Sequence, residues 1–107
     1  MHKEDIMRIL AAELPYLRAQ YGVRRIALYG SFAQGTQTPR SDVDLLVELE
    51  RPLGLEFVAL ADYLAQRLGR HVDLVTFETL RRSLSHPRYR DIAERIQRTY
   101  TDVSPTP

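Results

Sequence analysis

Residues 30–44 read Gly-Ser-Phe-Ala-Gln-Gly-Thr-Gln-Thr-Pro-Arg-Ser-Asp-Val-Asp, and they connect two apolar runs at residues 26–29 and 43–47. This order predicts a tight Gly-Ser turn after one strand and a pair of carboxylates, Asp42 and Asp44, at the start of the next. Because side chains in a strand alternate between its faces, the two carboxylates point the same way, roughly 6–7 Å apart. Negative charges that close are unfavourable unless a cation lies between them. The stretch therefore predicts a site for a metal ion and a nucleotide.

The composition of the 107-residue chain, 44% hydrophobic and 27% charged, is typical of an ordinary soluble globular domain. The chain has no cysteine, which excludes disulfide bonds and thiolate metal sites. No apolar run has the length of a membrane span, and residues 1–5 lack the apolar core of a signal peptide, so we expect a cytoplasmic protein that does not bind membranes. A net charge of +1 argues against direct nucleic-acid binding.

Helical and strand periodicities alternate along the chain, which is typical of an α/β (α+β) fold with a helix-covered sheet of about three strands. The apolar spacing predicts helices over residues 3–20, 55–68, 78–84 and 87–99 and strands over residues 24–29, 43–50 and 71–76. We expect residues 1–101 to form one domain. Residues 102–107 are polar and contain proline, so they are expected to be a disordered tail.

A third carboxylate, Asp73, lies in the last predicted strand, with Val72 and Leu74 on the opposite face. An acid embedded in an apolar strand is costly unless it is paired or bound to a metal. If the second and third strands are neighbours, Asp73 converges with Asp42 and Asp44. Such a set of carboxylates suits a pair of Mg²⁺ ions when substrate phosphates and water supply the other ligands.

Each of these features also has a purely structural explanation. Asp42 follows Ser41, and both are common turn residues, while Asp73 can instead pair with Arg70 nearby in the sequence. The Gly30-Ser31 pair by itself is a common turn, although such a glycine lets a phosphate approach and the serine adds a hydroxyl and an N–H donor. The combination of all these features in one order favours the functional interpretation.

The combination Gly30-Ser31-x-x-x-Gly35, Ser41-Asp42-x-Asp44-Leu45 and Val72-Asp73-Leu74-Val75 resembles the polymerase-β-type nucleotidyltransferase superfamily. Within it, the short length and the order of elements resemble the minimal nucleotidyltransferases, also called MNT antitoxins. The resemblance covers residues 21–76. It implies a small mixed sheet flanked by helices, with ATP as the substrate and Mg²⁺, two ions by expectation, as the cofactor.

Carried over residue by residue, the resemblance implies that Gly30 and Ser31 hold the β- and γ-phosphates of the nucleotide. Asp42 and Asp44 would bind the metal. Asp73 would complete the metal site and deprotonate or orient the attacking hydroxyl.

One departure from the family lies at Gln34, where arginine is frequent. Gln34 can donate hydrogen bonds to phosphate but brings no charge, and nearby Arg40 is the candidate to compensate. The arginines of the last predicted helix are interpreted as a solvated face, with an acidic partner surface as the alternative. His71 shows no metal-ligand spacing, and no functional role is predicted for it.

The resemblance further implies a partner, a HEPN-type ribonuclease toxin, and an activity, the transfer of AMP from Mg-ATP to a tyrosine of that toxin. Two alternatives remain open. In the first, the protein is an antitoxin with a weak or inactive site that neutralises the toxin by binding, and Gln34 favours this alternative. In the second, it is the catalytic subunit of a small-molecule nucleotidyltransferase. The presence of all three aspartates favours the enzyme, a Mg-dependent protein adenylyltransferase.

Overall fold

The computed structural model describes residues 1–105, and Thr106 and Pro107 lie outside the described residues. The strands are β1 (Val23–Tyr29), β2 (Val43–Leu49), β3 (Val72–Thr76) and β4 (Thr101–Asp102). They form one mixed sheet in the order β3-β2-β1-β4, with β2 parallel to β3 and with β1 antiparallel to both β2 and β4. The helices are α1 (Lys3–Tyr21), α2 (Gly30–Gln34), α3 (Glu56–Leu68), α4 (Phe77–Leu84) and α5 (Arg90–Thr99).

The mixed α/β fold is confirmed, and the predicted helices and strands form with bounds that differ by at most three residues. The largest difference is at α5, which begins at Arg90 rather than at residue 87. The residues before it form a turn in which the N–H of Tyr89 donates to the carbonyl of His86 at 3.0 Å. Among residues 1–105, none of the helices combines the length and apolar character needed to cross a membrane.

The C-terminal segment differs from the prediction, because the sheet has four strands and the fourth includes Asp102. Residues 101 and 102 pair with Leu28 and Ala27 of β1, and the Arg25 side chain donates to the Asp102 carboxylate at 2.9 Å. Val103 then packs into the core with 7% of its surface exposed. The expectation of a disordered tail from residue 102 is therefore wrong for residues 102 and 103. The remainder of that prediction, at residues 106 and 107, lies outside the described residues.

The two faces of the sheet are covered differently. Helices α1 and α3 cover one face with a large core that includes Leu10, Leu64 and the inward side chains of β1 and β2. Helices α4 and α5 cover the other face with a smaller cluster. That cluster consists of Ala27, Leu46, Phe77, Leu80 and Ala93. Because Leu45 and Leu46 are both buried, β2 is covered on both faces, as its uninterrupted apolar sequence predicts.

Candidate active site

The strand register brings the sequence motifs to one edge of the sheet. Since β1 runs antiparallel to β2, the end of β1 meets the start of β2, and Tyr29 is the register partner of Asp44. Since β3 runs parallel to β2, its start lies at the same edge, and Asp73 is the other register partner of Asp44. The second and third predicted strands are therefore neighbours, which is the condition for the convergence of the three aspartates. Asp44 lies between the Gly30 turn and Asp73.

Gly30 is required at its position for two independent reasons. Its backbone has a φ of 75°, in the left-handed region that side chains with a Cβ disfavour. A Cβ at this position would also overlap Oδ2 of Asp44 and lie 3.0 Å from its Cγ. The glycine thus leaves room for the Asp44 carboxylate directly against the backbone where β1 turns into α2.

The Asp44 carboxylate occupies a half-buried position in an acidic environment. Its burial, followed by the charges of Asp73 and Asp42, raises the pKa of Asp44 to about 6. Burial, followed by the charges of Asp44 and Asp73, also raises the pKa of the Tyr29 hydroxyl well above its ordinary value. Both shifts have the same physical origin, a concentration of negative charge at a partly desolvated sheet edge.

Asp42 and Asp73 are more exposed than Asp44. The Asp42 side chain is 52% exposed, and its Oδ2 lies 3.3 Å from Nδ1 of His71. Asp73 is exposed because β3 forms an edge of the sheet, so the expectation of an acid embedded in an apolar strand is wrong. His71, which the sequence analysis set aside, instead contacts a carboxylate of the site.

The donor chemistry of this edge fits Mg²⁺, which prefers carboxylate oxygens and retains several waters. Burial of Asp44, followed by the charges of Asp73 and Asp42, raises its pKa, so the three carboxylates lie near one another at this edge. Within residues 1–105, however, no group of three or more carboxylate or imidazole side chains closes around a point as a preformed metal cage. The metal-binding roles of Asp42, Asp44 and Asp73 therefore stay predictions.

The loop between α2 and β2 is held by Arg70, which lies in the turn between α3 and β3. Nη1 of Arg70 donates to the carbonyl of Pro39 at 3.2 Å and to that of Ser41 at 3.0 Å. The guanidinium also lies over the ring of Phe32, 5.2 Å from its centroid. Arg70 therefore supports the loop that leads into Asp42, and among the described residues it makes no ion pair with Asp73.

The other predicted nucleotide-binding residues surround the same turn. Ser31 is half-buried in the first turn of α2, and Arg40 is exposed on the loop that follows the helix. Gln34, at the end of α2, donates its side-chain amide to the carbonyl of Thr99 at 3.4 Å. The structure brings Gly30, Gln34 and Asp44 to one cleft, whereas Arg40 does not line it.

That cleft has a volume of about 340 Å³ and lies between the sheet edge and α5. On the α5 side it is lined by Ile92, Arg95, Ile96 and Thr99. These residues share one helix face at three- and four-residue spacing. The arrangement combines an apolar wall, a cation and a carboxylate around an open space, as small-molecule sites commonly do.

Residues 13–99 match the family model of the nucleotidyltransferase domain. The chain belongs to this family. It is 39% identical over 90 residues to a protein adenylyltransferase, MntA, of Thermococcus cleftensis, an alignment that covers 83% of this chain and 91% of that protein.

Two solved structures have the same fold as this nucleotidyltransferase. One protein assigned as a minimal nucleotidyltransferase superposes with a TM-score of 0.67 at 31% identity and covers 94% of each chain. A toxin–antitoxin crystal structure with AMP-PNP superposes with a TM-score of 0.61 at 27% identity, over 99% of this chain and 75% of that one.

The candidate site also has neighbouring residues that the sequence did not indicate, chiefly Arg95, Arg70 and His71. Arg95 belongs to a helix whose many arginines indicate a solvated face, and only the packing of α5 against the sheet edge identifies the one that enters the cleft. For His71, the signal was its position two residues before Asp73, at the point where the parallel strands begin.

Proposed function

We propose that this nucleotidyltransferase is an antitoxin that transfers AMP from Mg-ATP to a tyrosine hydroxyl of a HEPN-type toxin. The observation that carries the proposal is the position of Asp44, which lies between the Gly30 turn and Asp73 and opens into a cleft. The similarity to a protein adenylyltransferase and to a toxin–antitoxin structure with AMP-PNP supports the choice of nucleotide and of a toxin as partner.

The residues of the turn provide the phosphate-binding part of the proposed site. Gly30, with a φ of 75°, makes the tight turn at which the phosphates would bind, and its missing Cβ leaves the space that the Asp44 carboxylate fills. Ser31 adds its hydroxyl and its N–H as donors, and both groups suit the β- and γ-phosphates. The adjoining α2 places Gln34 at the same cleft.

The carboxylates of Asp42, Asp44 and Asp73 would hold Mg²⁺. A bound ion would neutralise charge on the triphosphate and on the pyrophosphate leaving group. Burial first, and then the neighbouring charges of Asp73 and Asp42, raise the pKa of Asp44 when no cation is present. Cation binding would relieve the repulsion between these charges.

In the transfer step, the tyrosine oxygen attacks the α-phosphorus and forms a new P–O bond. The bond between the α-phosphorus and the oxygen that bridges to the β-phosphate breaks, and pyrophosphate leaves with its electron pair. The hydroxyl proton passes to the carboxylate of Asp73, which is exposed and therefore accessible to an acceptor on another protein. The chain contributes mainly positioning and charge complementarity, as is usual for transfer at phosphorus.

The proposal is tested with the purified protein, its toxin partner, ATP and Mg²⁺. Intact mass spectrometry of both chains is the measurement, and Asp44→Asn is the matched variant. The proposal predicts a gain of AMP mass on the toxin with the wild-type protein and none with Asp44→Asn.

The alternatives give different outcomes in the same experiment. A stable complex that blocks the toxin without any mass gain would identify an antitoxin that acts by binding alone. AMP transfer to a small molecule, with the toxin unmodified, would identify a subunit of a small-molecule nucleotidyltransferase. Either result would overturn the proposed function.

A further inference from the structure

The cleft lies beside an acidic edge of the sheet, which is unfavourable for binding the negatively charged phosphates of a nucleotide. Asp42, Asp44 and Asp73 make this edge of the sheet negative, and ATP is itself strongly anionic. Metal ions at the carboxylates would compensate for part of this charge. A terminal phosphate that extends along the cleft would be bound more strongly by a cationic donor from the protein.

Arg95 supplies the positive charge at this place. Within residues 1–105 it is the one basic side chain that lines the cleft, which it shares with Gly30, Gln34 and Asp44. Its guanidinium makes no ion pair with any carboxylate of the described chain, whereas Arg98 on the same helix lies 4.0 Å from Glu94. Arg95 is therefore available to a ligand.

Two hydrogen bonds connect the end of α2 to the backbone of the last turn of α5, which carries Arg95. The Gln34 amide donates to the carbonyl of Thr99, and the hydroxyl of Thr99 donates to the carbonyl of Arg95 at 2.6 Å. These contacts tie the end of α2 to the last turn of α5. Gln34 thus acts as a neutral anchor for the helix that carries the charge.

We propose that Arg95 binds the β- and γ-phosphates of the nucleotide, so that the cation of the triphosphate site comes from α5 rather than from α2. The guanidinium fits a phosphate because it presents donors in a planar fork that can contact two oxygens at once. This inference rests on the proposed function, since it assumes that the cleft binds a nucleoside triphosphate.

The test compares Arg95→Gln with Arg98→Gln, a matched control one turn further along the same helix and outside the cleft. Dissociation constants are measured calorimetrically for AMP-PNP, for AMP and for inorganic triphosphate, each with Mg²⁺. Arg95→Gln should weaken AMP-PNP binding about tenfold to hundredfold, since a charge-assisted hydrogen bond is lost. It should weaken triphosphate binding similarly and leave AMP binding unchanged. Arg98→Gln should bind like the wild type, and Arg95→Lys should recover part of the affinity.

Other outcomes overturn the assignment in distinguishable ways. Equal AMP-PNP affinity for the wild type and Arg95→Gln would show that Arg95 does not bind the phosphates, while the proposed function stands. An equal loss for AMP and AMP-PNP would place Arg95 at the nucleoside or α-phosphate. A wild-type protein that binds neither AMP-PNP nor triphosphate would overturn both the inference and the proposed function.

Discussion

The two faces of the sheet differ in how completely they are filled. The face under α1 and α3 is packed by large side chains such as Leu10, Leu45 and Leu64, each with no exposed surface. The face under α4 and α5 has a smaller cluster of five buried residues, two of them alanines, and it retains the cleft of about 340 Å³ beside the carboxylates. The filled face supplies most of the apolar burial, and the open face keeps space for a ligand next to charged groups. Most of the apolar core and the proposed site thus lie on opposite sides of the same strands.

The largest expected effect is on the open face, at Asp44. Asp44→Asn should reduce AMP transfer by at least about a thousandfold, because it removes a carboxylate from the proposed metal site. The initial rate of toxin modification, followed with labelled ATP, is the measurement.

Glu48→Gln is the matched control for this prediction. Glu48 lies on the same strand and points to the same side as Asp44, but it does not line the cleft. It should retain transfer near the wild-type rate. Similar losses for both variants would contradict the assignment of the chemistry to one end of β2.

On the filled face, Leu10→Ala should lower the free energy of unfolding by about 3 kcal/mol, since it leaves a cavity in a fully packed core. On the open face, Ile92→Ala should cost less than about 1 kcal/mol. The reason is that Ile92 is 56% exposed and already borders a space. Urea denaturation of both variants measures the difference. Equal losses in the free energy of unfolding would contradict the conclusion that the two faces are packed differently.

The segment that connects β1 to β2 offers a finer comparison, between Gly30→Ala and Gly35→Ala. Both glycines have a φ of 75°, so the backbone strain of an alanine is the same at each position. Only at residue 30 does a Cβ meet the Asp44 carboxylate, whereas at residue 35 it meets nothing within 4 Å. Gly35→Ala should cost about 1–2 kcal/mol, and Gly30→Ala about 1–2 kcal/mol more, from the clash.

Nucleotide binding provides the second readout for this pair. Gly30→Ala should also weaken AMP-PNP binding, because Asp44 must move away from the turn. Gly35→Ala should not affect it. If the two variants unfold at the same urea concentration and bind AMP-PNP equally, the close approach of Asp44 to the backbone has no energetic consequence.

The smallest expected effect concerns pH. In the folded protein the Asp44 carboxyl has a pKa of about 6, against an ordinary value of 3.8 in the unfolded chain. The folded state therefore holds this proton more tightly, and the stability of the metal-free protein should fall as the pH rises from about 4 to about 6. Because the group is partly exposed, solvent screening reduces the change to about 1 kcal/mol.

Asp44→Asn should remove this pH dependence and be the more stable protein at pH 7 without metal. Urea denaturation in a chelating buffer at pH 4.5 and pH 7 tests the prediction. A stability difference between the wild type and Asp44→Asn that is the same at both pH values would contradict it.

Much of the fold followed from periodicity and local signals. The helices and the longer strands were predictable because the apolar spacing of each is distinct, and the burial of β2 on both faces followed from its continuous apolar sequence. Strand β4 was not predictable, because a strand of two residues is too short to show an alternation of apolar and polar side chains. Its pairing is fixed by β1 and by the contact between Arg25 and Asp102, which lie far apart in the sequence.

The residues at the centre of the candidate site were predictable from the sequence, whereas the residues that surround them were not. Gly30, Asp42 and Asp44 lie close together in the sequence, so their spacing could be recognised without the structure. The contributions of Arg95 and Arg70 depend on how α5 and the start of β3 pack, and helix periodicity alone cannot tell an arginine in a cleft from one in solvent. The exposure of Asp73 depends likewise on β3 being an edge strand, which the order of elements left open.

The pairing of β4 with β1 has a consequence for the synthesis of the protein. Residues 27 and 28 pair with residues 102 and 101, so one edge of the sheet lacks its neighbour until the last described strand has left the ribosome. Helix α5, which forms the wall of the cleft, is completed only just before it. A nascent chain can therefore assemble most of the filled face first, while the proposed nucleotide site is among the last parts of the described fold to form and the β1 edge stays open to other strands until then.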